Sequence, residues 1–208
     1  YKKTWKKQPE ATEKLSKVDL YKLTQSKSSS TVKWILIIGV LELIFWTGLN
    51  FITPKRFITI YEDFNLMGFM KIYTVLHYII IIVFLVLFYK NYSSISIVDS
   101  TKVLMKKILK VRKTVKFYMF YNLAGLVITN IIVAGIFLSK PDTLMKVMNP
   151  EGVDVAINTL LTAFLIGTIV TVLILFLIIW LFYKYSYGRL LKKLNVNYKK
   201  LDKLENLN

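Results

Sequence analysis

The chain has 208 residues, is 55% hydrophobic, and contains no cysteine and one histidine. Disulfides, thiolate metal sites and cysteine nucleophiles are therefore excluded, and the apolar excess over the roughly 45–50% of soluble domains indicates a membrane protein. The net charge of +17 and mean hydropathy of +0.50 narrow the partner classes to anionic lipid, nucleic acid or an acidic protein.

The first 33 residues are polar and basic. Pro9 followed by Glu10 and Glu13 suits a helix start. Ser16 and Asp19 suggest a second short helix with Leu20 and Leu23 on one side, and Ser28, Ser29 and Ser30 lead towards the first span. No apolar segment precedes Thr31, so residues 1–30 are not read as a targeting signal.

A spanning helix needs about 20 mainly apolar residues. Four segments qualify: Trp34 to Ile52, Ile72 to Tyr89, Phe117 to Leu138, and Ala156 to Tyr183. Lys and Arg total 24 in residues 1–33, 90–116 and 184–208, against 5 in residues 53–71 and 139–155. Basic residues are retained on the cytoplasmic side, so both termini and the middle segment are expected there. Trp34, Tyr89, Tyr92, Phe117, Tyr118, Trp180, Tyr183 and Tyr185 fall near the expected inner interface, where amphipathic rings settle.

Between the second and third spans, Ile97, Thr101, Leu104, Ile108, Val111 and Val115 recur at helical spacing. Lys102, Lys106, Lys107, Lys110, Arg112, Lys113 and Lys116 occupy the remaining surface and form a basic cytoplasmic face. Ser96 with Asp99 resembles a capping box at the start of this helix. With no Gly or Pro between Tyr92 and Ala124, the helix has a route into the third span. The short linker from the second span favours a tilted or surface-lying pose instead, with apolar stripe down and lysines up. In the tail, Tyr187, Leu191, Leu194, Tyr198 and Leu201 follow four-three spacing, continued by Leu204. This stripe suits pairing with residues 97–116, a second copy, or a partner.

Glu42 is the costly residue of the spans, at about 2.5–3.5 kcal/mol on insertion scales. A hydrogen-bonded or protonated Glu42 that fixes helix packing is the preferred reading, over a proton or cation site. At helical rise it lies about 13 Å from the inner face, and Thr171, Asn130, Thr129, Asn122 and Tyr121 are its candidate partners. His77 is read as a satisfied polar residue rather than a ligand. Thr159, Ala163, Gly167 and Thr171 form a small-residue stripe on the fourth span, assigned to helix packing within the chain ahead of homodimerisation.

A lone histidine cannot supply the ligands of metal-dependent oxidation, and no hydrolase, zincin or P-loop signature is present. Glu62, Asp63, Asp142, Glu151 and Asp154 in the outer loops suit a cation or plain solubility equally. No catalytic residue, metal site or cofactor is assigned.

The stretches "SSSTVKWILIIGVLELIFWTGLNF", "DSTKVLMKKILKVRKTVKFYMFYNLAG" and "LLKKLNVNYKKLDKLE" together resemble a family of uncharacterised bacterial four-span membrane proteins of about this size. Members are often labelled beta-carotene 15,15'-monooxygenase. That label conflicts with the residues, because carotenoid-cleaving oxygenases bind iron through several histidines and His77 stands alone. The resemblance also implies a membrane-held regulator with a sigma factor as partner.

The expectation is an all-α integral membrane four-helix bundle with amphipathic cytoplasmic helices. A basic segment (1–33), a bundle (34–183) and a cytoplasmic C-terminal helix (184–208) would compose it. The expected role is a non-enzymatic inner-membrane regulator or scaffold that binds a soluble partner or anionic lipid. A small transporter or accessory subunit using Glu42, and an enzyme on a lipid or isoprenoid, are the alternatives. Direct nucleic-acid binding is not expected, because no recognisable module is present.

Overall fold

The computed structural model describes residues 17–95, 99–149 and 151–206. The expected helix start at Pro9 and the capping residue Ser96 lie outside them, as does Ile97 of the apolar stripe. The described residues form seven helices and no strand: α1 (Lys17–Ile52), α2 (Lys55–Asp63), α3 (Met67–Ser93), α4 (Thr101–Leu138), α5 (Pro141–Met148), α6 (Ile157–Tyr185) and α7 (Tyr187–Glu205). Four helical segments are long and apolar enough to cross a membrane, which makes the chain an all-α membrane protein.

Two of the helices are too long for a membrane alone. α1 has 36 residues and α4 has 38. At 1.5 Å per residue each measures about 55 Å, against a hydrocarbon core of about 30 Å. The excess is the lysine-rich N-terminal part of each helix. α7 follows α6 after a break at Ser186 and packs on both α1 and α4. The three lysine-rich segments therefore converge into one three-helix stalk at one end of the bundle.

Residues 101–116 do not form a separate surface-lying helix. They are the first part of α4, continuous with the third span. The physical reason is that the stripe has protein to bury against: Leu104, Ile108, Val111 and Val115 are buried in one core with Leu190, Leu194 and Leu201 of α7. The tail stripe is thus satisfied within the chain. Its centre is Tyr187, Leu190, Leu194, Asn197 and Leu201, with Leu191 and Tyr198 on the flanks. The N-cap is Ser100, whose hydroxyl accepts from Val103 N at 3.4 Å. Asp99 instead holds Lys107, whose Nζ lies 2.8 Å from both carboxylate oxygens and also donates to the Ser94 carbonyl. Tyr21 of α1 donates to the Asp99 carbonyl, which ties the two helices at the tip. Burial first, and then the Asp99 charge, push the Tyr21 phenol above its usual range.

The expected short helix at Ser16 and the serine-rich lead-in are one unbroken helix from Lys17 onward. Thr24, Ser28 and Thr31 donate back to the carbonyls of Leu20, Thr24 and Lys27. That back-bonding satisfies each hydroxyl locally, so these small residues can be buried where α7 closes on α1. Asn197 of α7 crosses the seam and donates to Ser28 Oγ at 3.1 Å. Further along α1, a Cβ at Gly39 would sit 3.0 Å from Leu85 Cδ2 and 3.6 Å from Tyr187 Oη, so the bare backbone permits close contact with α3.

The far end has its own small core. Phe64, Leu66, Leu144 and Leu160 are buried together, and Phe64 stacks on Phe137 at 4.1 Å. Asn65, with φ of 58°, turns the chain from α2 into α3, and Lys140 donates to the Phe64 carbonyl at 3.1 Å.

Candidate functional site

Glu42 faces the bundle interior and is buried. Its partners are not those expected from depth along the spans. Tyr183 of α6 donates to one carboxyl oxygen at 2.6 Å, and Tyr187 of α7 donates to the other at 3.1 Å. These two residues flank the helix break at Ser186. Glu42 therefore sits level with the junction between stalk and apolar bundle, not at mid-span. Tyr118 closes the cluster from α4, 6.3 Å from the Tyr183 ring and edge-on to Tyr187 at 6.0 Å. Phe84 and Phe88 of α3 pack edge-on against Tyr118 at 5.1 and 5.6 Å. One carboxyl thus gathers side chains from α1, α4, α6 and α7 into a single polar staple.

The interface aromatics divide into two groups for the same reason. Trp34, Tyr89, Phe117, Trp180 and Tyr185 point outward, whereas Tyr118 and Tyr183 turn inward to the staple. Lys184 lies over the Trp180 ring at 4.7 Å and Arg189 over Tyr185 at 5.4 Å. Such pairs place a charge at an interfacial ring while the ring remains in apolar surroundings.

The other polar span residues are satisfied nearby. His77 Nδ1 lies 3.3 Å from Tyr121 Oη, and its ring stacks between Tyr73 and Tyr121. Asn122 and Asn130 donate to the carbonyls four residues back, Tyr118 and Leu126. The stripe of Thr159, Ala163, Gly167 and Thr171 is outward-facing, which departs from its expected use inside the chain. α6 instead meets the bundle through Leu160, Phe164, Thr168, Val172, Phe176, Ile179 and Tyr183, the face rotated by one residue. Bulky, adaptable side chains fill that contact, and the small residues are left outside.

The seven cations of α4 separate into distinct settings. Lys107 is spent on Asp99, and Arg112 is half-buried. Lys102, Lys106, Lys110, Lys113 and Lys116 are exposed, and Lys102 reaches Glu205 of α7 at 3.3 Å. Among the described residues, no three His, Asp or Glu side chains come together as a metal site. The outer-loop acids thus do not assemble one among these residues.

Residues 18–206, which include the stalk, the staple and all four apolar helices, match the family described as Domain of unknown function (DUF8845). The chain belongs to that family. No curated protein and no solved structure matches it. The match spans the stalk and the bundle together, as the fold requires, because α1 and α4 run through both.

The sequence reading missed the Glu42–tyrosine pairing. The signal for it is the four-residue spacing of Tyr183 and Tyr187 at the end of the fourth span. Depth counting along straight helices concealed it, because α1 extends well beyond the apolar region before Glu42 is reached.

Proposed function

We propose that the chain is a non-enzymatic scaffold or regulator of the bacterial inner membrane, with both termini cytoplasmic. Its stalk would hold an acidic soluble protein at the membrane. The supporting observation is the outer face of α4. Lys102, Lys106, Lys110 and Lys113 surround Val103 and Leu109, which are 41% and 44% exposed. Cations around small apolar anchors suit an acidic partner surface. The inner stripes of α4 and α7 are consumed within the chain, so this outer face is the contact surface that remains. A sigma factor is the partner class that the family resemblance implies.

The test is gentle extraction of the full chain from native membranes, followed by mass spectrometry of co-purifying proteins. A stoichiometric soluble partner is expected with the natural chain and is expected to be lost with Lys106→Glu/Leu109→Asp, both at exposed positions. Absence of such a partner from the natural chain overturns the reading.

Orientation has a separate check that the cysteine-free sequence makes simple. Single cysteines at Ser26 and Glu151, both exposed, would be probed in intact cells with a membrane-impermeant maleimide. Glu151→Cys should label directly and Ser26→Cys only after lysis. The reverse pattern would place the stalk outside and end the cytoplasmic-partner reading.

A further inference from the structure

A groove of about 660 Å³ runs between α1 and α7 on the stalk, lined by Lys27, Ser30, Thr31, Arg189, Lys192 and Lys193. A second cleft of about 300 Å³ adjoins it and shares Arg189 and Lys193. This cleft is lined also by Trp34, Ile38, Tyr185 and Leu190. We propose that the pair of cavities binds one anionic phospholipid, with its phosphate head group among the cations and the start of its acyl chains beside Trp34 and Ile38.

Charge is the first argument. Four cations line the larger groove, and no acidic residue is among the lining. The two ion pairs formed by the described residues lie elsewhere, at Lys102–Glu205 and Lys107–Asp99. Four side chains of one sign on facing helices create a positive field that an anion relieves. A guanidinium is among them, and its planar fork matches phosphate oxygens.

Position is the second argument. Trp34 and Tyr185 are 54% and 56% exposed and mark the level at which α1 and α6 become apolar. Exposed indole and phenol rings settle at the depth of lipid head groups. The cationic groove opens immediately beyond that level, and the apolar cleft continues below it. Basic pockets between helices at a membrane surface suit anionic head groups. A free phosphate ion would use the cationic half alone, and the apolar half favours a lipid. The outer face of α4 carries as many lysines but none of them lines either cavity. This inference requires only that the apolar helices cross a membrane and is independent of any protein partner.

The experiment uses the full chain in mild detergent, titrated with phosphatidylglycerol or phosphatidylcholine and read by native mass spectrometry. One phosphatidylglycerol should bind in preference to phosphatidylcholine. Arg189→Gln/Lys193→Gln should weaken phosphatidylglycerol binding by about tenfold or more. Both side chains lie at the stalk surface, so the fold should persist, with helical circular dichroism as the check. Lys106→Gln/Lys110→Gln removes the same charge from α4 and should leave binding unchanged. Equal weakening by both double variants would show a diffuse charge effect and overturn the proposal. Absence of a lipid preference would also overturn it, as would displacement of the lipid by millimolar inorganic phosphate, which would assign the groove to a soluble anion.

Discussion

Replacing Glu42 with leucine is expected to destabilise the fold more than any other single polar substitution in the bundle. The side chain is similar in size, so the effect comes from lost acceptors rather than lost volume. The Tyr183 and Tyr187 hydroxyls would then lack their partner in a buried site. A stranded buried hydroxyl costs about 1–3 kcal/mol, and here there are two. Glu42→Gln retains one acceptor oxygen and should fall between leucine and the natural residue. Combining Glu42→Leu with Tyr183→Phe and Tyr187→Phe removes the orphaned groups and should recover part of the loss. Thermal unfolding in detergent is the measurement. A leucine variant as stable as the natural chain would show that the carboxyl is not a staple and would reopen a transport role for Glu42.

The second large effect belongs to the stalk. Leu194 is fully buried between α7 and its neighbours. Truncating such a leucine to alanine costs about 2–5 kcal/mol, and aspartate adds the burial of a charge. Leu194→Asp should release α7 from α1 and α4 while the spans remain inserted. Limited trypsin digestion would read this as rapid cleavage among the lysines of residues 192–203. Val196→Asp, at an exposed position on the same helix, should leave the digestion pattern unchanged. If both variants digest alike, the stalk is not held by its buried seam.

The membrane helices were legible in the sequence because their signal is additive: about twenty apolar residues identify a span whatever surrounds them. The stripes of α4 and α7 were legible for a similar reason, since Leu104, Ile108 and Leu194 recur at helical spacing. The surface onto which each stripe folds is a tertiary fact. Lysines above an apolar stripe describe equally a helix on lipid and a helix in a stalk. The serine run misled because Ser and Thr favour caps and turns; here Thr24, Ser28 and Thr31 bond back to their own helix. The small-residue stripe on α6 misled because close packing is available to small residues but not required of them. In the candidate site, Glu42 was conspicuous from its burial cost, and its tyrosine partners were concealed by the projection of α1 beyond the apolar region.

The unbroken courses of α1 and α4 have a mechanical consequence. Each helix is one rod, embedded at one end and free at the other, and the Glu42 staple clamps the rods near the crossing point. The free arm of α1, from Lys17 to Lys33, is about 25 Å long at helical rise, so a tilt of about 10° about the clamp moves its tip by about 4 Å. Changes in bilayer thickness alter helix tilt. The stalk is therefore a lever with its fulcrum at Glu42, and what the lipid does to the spans is magnified at the tip.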